Sequence, residues 1–338
     1  MKSRLEEIAR ALVADGRGIL AADESTGTIA RRLASVGVEN VEETRRAYRE
    51  LLFTAKGIGE AISGVILYDE TIRQSTRKGR RFVDVLTEQG VLAGIKVDRG
   101  AKPLPGFPGE RVTEGLDGLR ERLAEYRDLG ASFAKWRAVI DVGPRIPSAT
   151  AIRANAEALA RYAALCQEAG IVPIVEPEVL MDGDHDLARC EEVTARTLDA
   201  VFSALFAHHV ALEGMVLKPN MVIPGLRHGR RADPDEIADA TVRCFRRTVP
   251  AAVPGVVFLS GGQREAEATA NLQAMNARHR GAVPWSLSFS FGRALQQSTL
   301  EAWRGRSDNV PAAQKALLHR ARLNGAAQRG RYDPAMEA

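Results

Sequence analysis

The chain has 338 residues, of which 45% are hydrophobic and 27% charged, and its formal net charge is +4. This composition is typical of a globular protein, and no apolar run approaches the ~20 residues that a membrane-spanning helix needs. The three cysteines stand far apart without CxxC spacing, which argues against a disulfide framework or a thiolate zinc site and fits a reducing cytosol.

In chain order, the first element is an amphipathic helical pattern over residues 1–18, which contains acidic residues and lacks the apolar region of a signal peptide. Helical patterns then alternate with short apolar runs. The predicted strands are Gly18–Asp23, Gly64–Tyr68, Ala93–Val97, Ser132–Ile140, Val172–Glu176, Gly214–Leu217, Val256–Ser260 and Ser286–Phe291. This alternation predicts an α/β fold, a single (β/α)8 TIM barrel over residues 1–328. An extra N-terminal helix, a C-terminal helical segment and a mobile tail over residues 329–338 complete the prediction.

The connections between these runs bear on the choice of fold. A doubly wound sheet is the alternative, but it usually needs a G-x-G-x-x-G loop after the first strand, and that loop is absent. The connection from Gly100 to Gly118 holds three Pro and five Gly and is long for a simple link. We therefore expect it to shape the rim of the barrel.

Basic residues are concentrated in two clusters, RKGRR at 77–81 and RHGRR at 227–231. A nucleic-acid-binding surface would carry stacking aromatic side chains among such residues, but Phe, Trp and Tyr make up 5% of the chain and none lies in either cluster. We therefore expect solvated loops there, and neither nucleic acid nor a membrane as partner. The positive net charge of the chain suits a small anionic substrate.

The ends of the predicted strands carry the chemistry. In a barrel of this kind the active groups lie at the carboxyl ends of the strands, so charges placed there converge on one mouth. Structural ion pairs need no such convergence, which favours a functional interpretation. The residues at or just beyond the strand ends are Asp23, Lys96, Asp98, Lys135, Arg137, Glu176, Glu178, Lys218, Ser260 and Arg293.

Lys218 interrupts an apolar stretch that reads VLKPNMV over residues 216–222. An amine nucleophile must lose its proton, and both an apolar wall and a nearby ammonium group, for which Lys135 is the candidate, favour that loss. The neutral amine can add to a ketone and form a Schiff base, with Glu176 as the proton donor for dehydration. Because a protonated Schiff base is an electron sink, this predicts lyase chemistry without a metal. Lys96 and Lys135 stay open as alternative nucleophiles.

Two small polar turns predict phosphate sites. FLSGGQ at 258–263 ends a strand and begins a helix, and Gly292 with Arg293 adds donors after the next strand. DESTGT at 23–28 offers the hydroxyls of Ser25 and Thr28, which with Lys96 could hold a second phosphate. The alternative for Ser25 is a simple helix cap.

No metal or cofactor site is predicted. The stretch DGDHD at 182–186, which contains His185, looks metal-like but lacks the spacing of a calcium loop. We expect His185 to have a structural or surface role.

Taken together, these residues resemble class I fructose-1,6-bisphosphate aldolases, the Schiff-base-forming family. The resemblance extends from about Ile8 to Tyr332, and LKPNMV with IVEPE carries most of it. The matching stretches are GILAADESTGT, GVILYDET, GIKVDRG, FAKWRAVI, PIVEPEVLMDGDHDL, LEGMVLKPNMV, FLSGGQ and FSFGRALQ. It implies a TIM barrel that works in glycolysis and gluconeogenesis, metal-independent and without a cofactor, as a cytoplasmic homotetramer acting on sugar phosphates.

The resemblance also implies residue roles. Lys218 resembles the Schiff-base lysine, Glu176 the acid/base, and Asp23 the carboxylate that orients the substrate. Lys135 resembles the electrostatic partner of the nucleophile, and Glu178 a supporting carboxylate. The implied C1-phosphate site is Ser260, Gly261, Gly262, Gly292 and Arg293. The implied C6-phosphate region is Ser25, Thr28, Arg32 and Lys96, with Arg137 near the substrate.

The chain departs from the family pattern in three places. Animal-type members end in a tyrosine that assists proton exchange, whereas this sequence ends DPAMEA and Tyr332 matches an earlier family tyrosine. We therefore expect another group to protonate the enamine. Thr28 stands where serine is common, and Arg99 replaces a lysine.

The expected reaction is the reversible cleavage of fructose 1,6-bisphosphate to dihydroxyacetone phosphate and glyceraldehyde 3-phosphate. One alternative keeps the Schiff base but changes the substrate to fructose 1-phosphate or sedoheptulose 1,7-bisphosphate. The other is a non-catalytic scaffold, which predicts the loss of a catalytic residue, but Asp23, Lys135, Glu176 and Lys218 are all present.

Overall fold

The structure is a computed structural model that describes residues 2–338. In chain order the strands of this region are β1 Gly18–Ala21, β2 Ile62–Leu67, β3 Leu92–Lys96, β4 Ala101–Pro103, β5 Arg111–Thr113, β6 Phe133–Ile140, β7 Val172–Val179, β8 Val216–Leu217, β9 Gly255–Phe258 and β10 Ser286–Phe291. The helices are α1 Lys2–Leu12, α2 Thr26–Ala34, α3 Glu42–Phe53, α4 Asp69–Ile72, α5 Phe82–Glu88, α6 Leu119–Asp128, α7 Ala149–Glu168, α8 Leu187–Ala207, α9 Pro234–Thr248, α10 Glu265–His279, α11 Arg293–Trp303 and α12 Val310–Gln328.

Eight of the strands form a closed parallel barrel in the order β1-β10-β9-β8-β7-β6-β3-β2. Ile19 of β1 pairs with Ser290 of β10, and this pairing joins the first strand to the last. The single TIM barrel predicted from the alternating runs is therefore confirmed, and the doubly wound alternative is wrong. Helices follow most of the strands and cover the outside of the barrel, which is why the strands read as continuous apolar runs.

The strand ends differ from the predictions in ways that matter for the mouth. Strand β7 continues to Val179, so Glu176 and Glu178 both lie inside it. Strand β8 has only two residues, although its pairing extends by one bond in which the Lys218 N–H donates to the Val175 carbonyl at 2.8 Å.

The long connection from 100 to 118 contains structure of its own. Strands β4 and β5 pair antiparallel, with Ala101 opposite Thr113. Three-residue strands are too short for sequence periodicity to detect. Gly100 and Ala101 reach the cavity at the mouth, as expected for a rim element.

The amino end of the barrel is closed by α1. Leu5, Ala9 and Leu12 of this helix are buried in an apolar cluster with residues that point into the barrel from several strands, Phe133 and Val216 among them. A Cβ on Gly94 would lie 2.2 Å from the Phe133 ring, so β3 uses glycine to make room for that ring. The predicted N-terminal helix therefore acts as an apolar plug.

The C-terminal segment packs against the outer helices. Arg320 of α12 forms an ion pair with Glu337 at 2.5 Å, and the Tyr332 hydroxyl donates to Glu337 at 2.8 Å. The Tyr332 N–H donates to Gln273 of α10 at 2.8 Å. The predicted C-terminal helical segment is present as α12, and the mobility of residues 329–338 stays a prediction.

None of the helices within residues 2–338 combines the length and the apolar character needed to cross a membrane.

Candidate active site

A cavity of about 1320 Å³ opens at the carboxyl ends of the barrel strands. Every residue predicted for the site lines it. These residues are Asp23, Ser25, Thr28, Arg32, Lys96, Lys135, Arg137, Glu176, Glu178, Lys218, Ser260, Gly261, Gly262, Gly292 and Arg293. Side chains from strands distant in sequence thus meet at one mouth, as the parallel barrel requires.

Two lysines share one buried carboxylate at the centre of the cavity. Lys218 Nζ lies 3.1 Å from Glu176 Oε1, and Lys135 Nζ lies 3.1 Å from Glu176 Oε2. Lys135 also contacts Asp23 Oδ2 at 2.7 Å. Lys218, Lys135 and Glu176 are each only 3% exposed. The cluster is therefore an alternating chain of amine and carboxylate groups that excludes most water.

Charge compensation inside the cluster decides the protonation of two of its members. Burial raises the pKa of Asp23, but the ammonium groups of Lys135 and Lys218 outweigh burial and hold that pKa well below its usual value. Burial lowers the pKa of Lys135, but Asp23 and Glu176 outweigh it and hold that pKa well above its usual value. At neutral pH, Asp23 is therefore a carboxylate and Lys135 an ammonium ion.

The chain around Lys218 is fixed mainly by side chains, because β8 is so short. Asn220 accepts a hydrogen bond from the Val179 N–H at 3.0 Å and donates to the Thr194 hydroxyl at 3.1 Å. The Thr241 hydroxyl accepts from the Val222 N–H at 2.9 Å. These bonds fasten the exit of β8 to the end of β7 and to helices α8 and α9.

Glu178 and Arg137 form an ion pair at the rim next to the lysine cluster. Burial lowers the pKa of Arg137, but Glu178 outweighs burial and raises it. The Arg137 backbone N–H also donates to Asp98 at 3.1 Å. Lys96 lies on the neighbouring strand and contacts the Asp98 carboxylate at 2.6 Å. Both cations are therefore held at the mouth by acidic neighbours.

The turn after β9 contains two glycines with left-handed backbone and lies next to Arg293. Gly261 and Gly262 both have positive φ, +49° and +86°, which L side chains rarely adopt. A Cβ on Gly262 would lie 2.8 Å from Met181 Sδ and 3.4 Å from Arg293 Nη2, so Arg293 reaches this turn from the start of α11. The positive end of the α11 dipole and the guanidinium group thus face the same space.

Ser25 precedes α2 with extended backbone, but its hydroxyl makes no capping bond to the helix. It donates to the Thr28 hydroxyl at 3.2 Å. Ser25 is thus the N-cap residue of α2, as the helix-cap alternative expects, but its hydroxyl lies with the Thr28 hydroxyl on the cavity wall.

Arg32 occupies a position between the two predicted phosphate regions. Its guanidinium pairs with Glu24, and its Nη2 would lie 3.5 Å from a Cβ on Gly292. It is thus not confined to the Ser25–Thr28 side of the mouth, with which the sequence grouped it.

Sequence reasoning missed Ser290, which is buried at the end of β10 and lines the cavity. Its hydroxyl has no hydrogen-bond partner among residues 2–338. The stretch SLSFSF carried a signal, because serines at alternate positions of a strand share one face. Of these serines, only Ser290 lies at the mouth. The sequence also gave no role to Glu24, which pairs with Arg32, or to Arg49 and Gln296, which bind the Glu24 carboxylate.

His185 is buried beside the rim, and neither of its ring nitrogens has a hydrogen-bond partner in the described chain. Burial lowers its pKa, which favours the neutral ring. Across residues 2–338, no group of three or more His, Cys, Asp or Glu side chains is arranged to hold a metal ion.

Comparison with known proteins agrees with this geometry. Residues 4–338 match the family model described as fructose-bisphosphate aldolase class-I. The chain is 56% identical over 330 residues to a protein of Xanthomonas axonopodis pv. citri named probable fructose-bisphosphate aldolase class 1, covering 97% of this chain and 98% of that one. It is 59% identical over 317 residues to the cytosolic fructose-bisphosphate aldolase 4 of Arabidopsis thaliana, covering 94% of this chain and 80% of the relative.

A solved structure shows the same fold. It is fructose-bisphosphate aldolase from Plasmodium falciparum in complex with TRAP and a small-molecule inhibitor, with a TM-score of 0.96 and 47% sequence identity over 98% of this chain and 95% of that chain. None of these names supports the alternative sugar substrates. The chain belongs to the class-I fructose-bisphosphate aldolase family and is a lyase that cleaves fructose 1,6-bisphosphate reversibly to dihydroxyacetone phosphate and glyceraldehyde 3-phosphate.

Proposed function

We propose that Lys218 is the amine that forms the Schiff base in this reaction, with Glu176 as its acid/base partner. The observation that carries this proposal is the unequal pairing of the two central lysines. Lys135 contacts two carboxylates, and its pKa is raised accordingly. Lys218 contacts one, Glu176. Lys135 is therefore the poorer nucleophile, because its proton is held by two anions.

Lys96 is also a weaker candidate than Lys218. Its Nζ donates to the Asp98 backbone carbonyl at 2.8 Å and contacts the Asp98 carboxylate at 2.6 Å. These two contacts hold the Lys96 amine at the rim. Lys218, in contrast, follows two fully buried apolar residues and points to the centre of the cavity. Lys96 instead suits binding of a phosphate group.

The proposed steps balance protons between Lys218 and Glu176. The neutral amine adds to the C2 ketone, and Glu176 donates a proton to the resulting hydroxyl, which leaves as water. The iminium accepts the electron pair of the C3–C4 bond while Glu176 takes the proton of the C4 hydroxyl. Glyceraldehyde 3-phosphate departs, and one proton, equal to the one that Glu176 took from the C4 hydroxyl, is delivered to the enamine at C3. Water then hydrolyses the iminium, which releases dihydroxyacetone phosphate, the free amine and the proton that returns to Glu176.

The remaining residues are proposed to orient the substrate and to compensate charge in the site. Asp23 is proposed to orient the substrate, and Lys135 keeps Asp23 ionised while its ammonium also contacts Glu176. Glu178 supports the site from the next inward position of β7. The C1 phosphate is assigned to Ser260, Gly261, Gly262, Gly292 and Arg293. The C6 phosphate is assigned to Ser25, Thr28 and Lys96, with Arg32 and Arg137 at the rim.

The test is reduction with borohydride in the presence of dihydroxyacetone phosphate, followed by peptide mass spectrometry. We expect the adduct on Lys218, and Lys218→Met should lose it. Lys315→Met, which removes an exposed lysine on α12, is the matched control and should keep it. An adduct on Lys96 or Lys135 would contradict the proposal, and so would activity that EDTA abolishes.

We also assign the protein to the cytoplasm as a homotetramer. Relatives from Arabidopsis thaliana and Cicer arietinum are named cytosolic and cytoplasmic, and the three cysteines are free and buried. Phe206, at the end of α8, is 81% exposed and is a candidate subunit contact. Sedimentation should show four chains for the parent and smaller species for Phe206→Glu. A monomeric parent would refute the assembly.

A further inference from the structure

Glu24 lies directly after Asp23 at the end of β1 and is held between two arginines. Its Oε2 accepts from Arg49 Nη2 at 2.5 Å, and its Oε1 contacts Arg32 Nη1. The Glu24 side chain is only 4% exposed. Burial raises the pKa of Glu24, but the two guanidinium groups outweigh burial and lower it, so the group is a carboxylate.

The two arginines have different surroundings. The Arg49 side chain is 3% exposed, on helix α3, and does not line the mouth. The Arg32 side chain is 23% exposed, lines the cavity and extends towards Gly292. Arg49 is therefore a fixed internal cation, whereas Arg32 is within reach of a ligand.

The carboxylate would keep a donor on each oxygen if Arg32 left. Arg49 continues to serve Oε2, and Gln296 donates its amide N–H to Oε1 at 3.0 Å. Gln296 is itself fixed, because it donates to the Ala21 carbonyl at 2.8 Å and its oxygen accepts from the Tyr48 hydroxyl at 3.1 Å. Glu24 can thus release Arg32 without becoming an unpaired buried anion.

We infer that Glu24 holds Arg32 before the substrate binds and that Arg49 is the counter-ion that lets Arg32 transfer to a phosphate group of the substrate. Arg49 and Gln296 are therefore positioning residues for sugar bisphosphate binding. This inference rests on the proposed phosphate role of Arg32.

Arg49 is needed for electrostatic reasons, because Glu24 lies next to Arg32 and therefore close to the proposed phosphate site. Without Arg49, transfer of Arg32 would leave a buried carboxylate with one neutral donor, close to an arriving phosphate of the same sign. Both the buried charge and its repulsion of the phosphate would oppose binding. With Arg49 in place, the carboxylate keeps a full positive partner throughout.

Steady-state kinetics of Arg49→Met and Arg45→Met form the matched test. Both arginines lie on α3 and pair with glutamates, but the partner of Arg45 is Glu70, at 2.6 Å, and neither residue lines the cavity. We expect Arg49→Met to raise KM for fructose 1,6-bisphosphate about tenfold while kcat changes little, as for the loss of one charged hydrogen bond on binding. Arg45→Met should keep the parent KM. Equal KM values for the two variants would overturn the inference.

A variant of Glu24 gives a second, independent arm that does not need Arg49→Met to fold. Glu24→Gln removes the negative charge that holds Arg32. Since Arg32 then has no ion pair to break on binding, KM should stay at or below the parent value. In Glu24→Gln/Arg49→Met the buried charges are removed together, and KM should return to within about threefold of the parent. A KM that rises in Glu24→Gln would show that the carboxylate orients Arg32 for binding. It would refute the inference that Glu24 only holds Arg32 until the substrate binds.

Arg32→Met separates this inference from the proposed function. If Arg32 binds phosphate, its loss should lower kcat/KM for fructose 1,6-bisphosphate and change the preference over fructose 1-phosphate. Arg49→Met should shift that preference in the same direction. If Arg32→Met has the parent kinetics, the phosphate role of Arg32 fails. If only Arg32→Met has an effect, the role of Arg49 fails.

Discussion

The two ends of the barrel treat polar groups differently. At the amino end, Ser63 donates to the Leu12 carbonyl at 2.6 Å and Ser288 to the Arg17 carbonyl at 2.7 Å, beneath the apolar plug formed by α1. At the carboxyl end, Ser290 of the same strand as Ser288 is buried with no partner in the described chain. Buried polar groups are normally paired, and among these three serines the one with the unpaired hydroxyl is the one that lines the cavity. One end is built for stability and the other for binding.

The largest expected effect lies at the carboxyl end. Lys218→Met removes the proposed nucleophile, and kcat should fall by roughly 10⁴- to 10⁶-fold, the scale for the loss of a covalent catalyst. Thermal unfolding should stay within a few degrees of the parent, because methionine fills most of the same space. Residual activity above one per cent of the parent, with no adduct elsewhere, would remove the distinction between this lysine and its neighbours.

The amino end should show the opposite pattern. Leu12 is fully buried in the plug, so Leu12→Ala should lower the free energy of unfolding by about 2–5 kcal/mol. Since Leu12 lies far from the mouth, kcat and KM at a temperature where the variant is folded should equal those of the parent. Denaturant unfolding and steady-state kinetics measure the two quantities. A changed KM in the folded variant would show that the plug and the site are coupled.

Lys135→Met tests charge compensation at the carboxyl end. Burial raises the pKa of Asp23 and Lys135 lowers it, so the variant should have a higher Asp23 pKa. In the parent, a folded pKa below the unfolded value of about 3.9 gives a contribution to stability that is present above that pH and lost as the pH falls.

In Lys135→Met the acidic limb of kcat/KM should therefore move to higher pH, and kcat at neutral pH should fall about 100-fold. A pH–rate profile of both proteins measures this. An unmoved acidic limb would contradict the assigned role of Lys135.

The smallest effects come from a pair of serines on one strand, and they compare the two ends directly. Ser288→Ala should lower the free energy of unfolding by about 1 kcal/mol and leave the kinetics unchanged, because it deletes a satisfied hydrogen bond. Ser290→Ala should leave stability unchanged or slightly higher and lower kcat/KM about tenfold, because we propose that the substrate is its partner. The reverse pattern would refute the assignment of the two ends.

The sequence predicted the barrel because strand and helix patterns are local and repeated, and it predicted the mouth because parallel strands bring their carboxyl ends together. Glu176, Lys135 and Lys218 could thus be grouped without coordinates. The short hairpin β4–β5 had too few residues for periodicity. The extension of β7 past Glu176 was hidden by proline and glutamate at positions that usually end strands.

The pairing of Arg32 could not be predicted, because its partners come from distant parts of the chain. Gln296 is 272 residues from Glu24, and Arg49 is 25 residues away on another helix. Local pattern reports where a charged residue points but not which of many opposite charges it meets. Ser290 was missed for a related reason, since only the packed barrel shows that two of three alternate serines are already satisfied at the other end.

The two-residue strand β8 has a consequence for how this enzyme could be redesigned. The segment after Lys218 is held by two side-chain hydrogen bonds, from Asn220 to Thr194 of α8 and from the Val222 N–H to Thr241 of α9. A longer strand would use backbone hydrogen bonds instead. The placement of Lys218, the proposed nucleophile, therefore depends partly on side chains of the outer helices. To shift the amine by fractions of an ångström for a new substrate, Thr194 and Thr241 could be substituted. Both lie outside the cavity, so the residues that line it would stay unchanged.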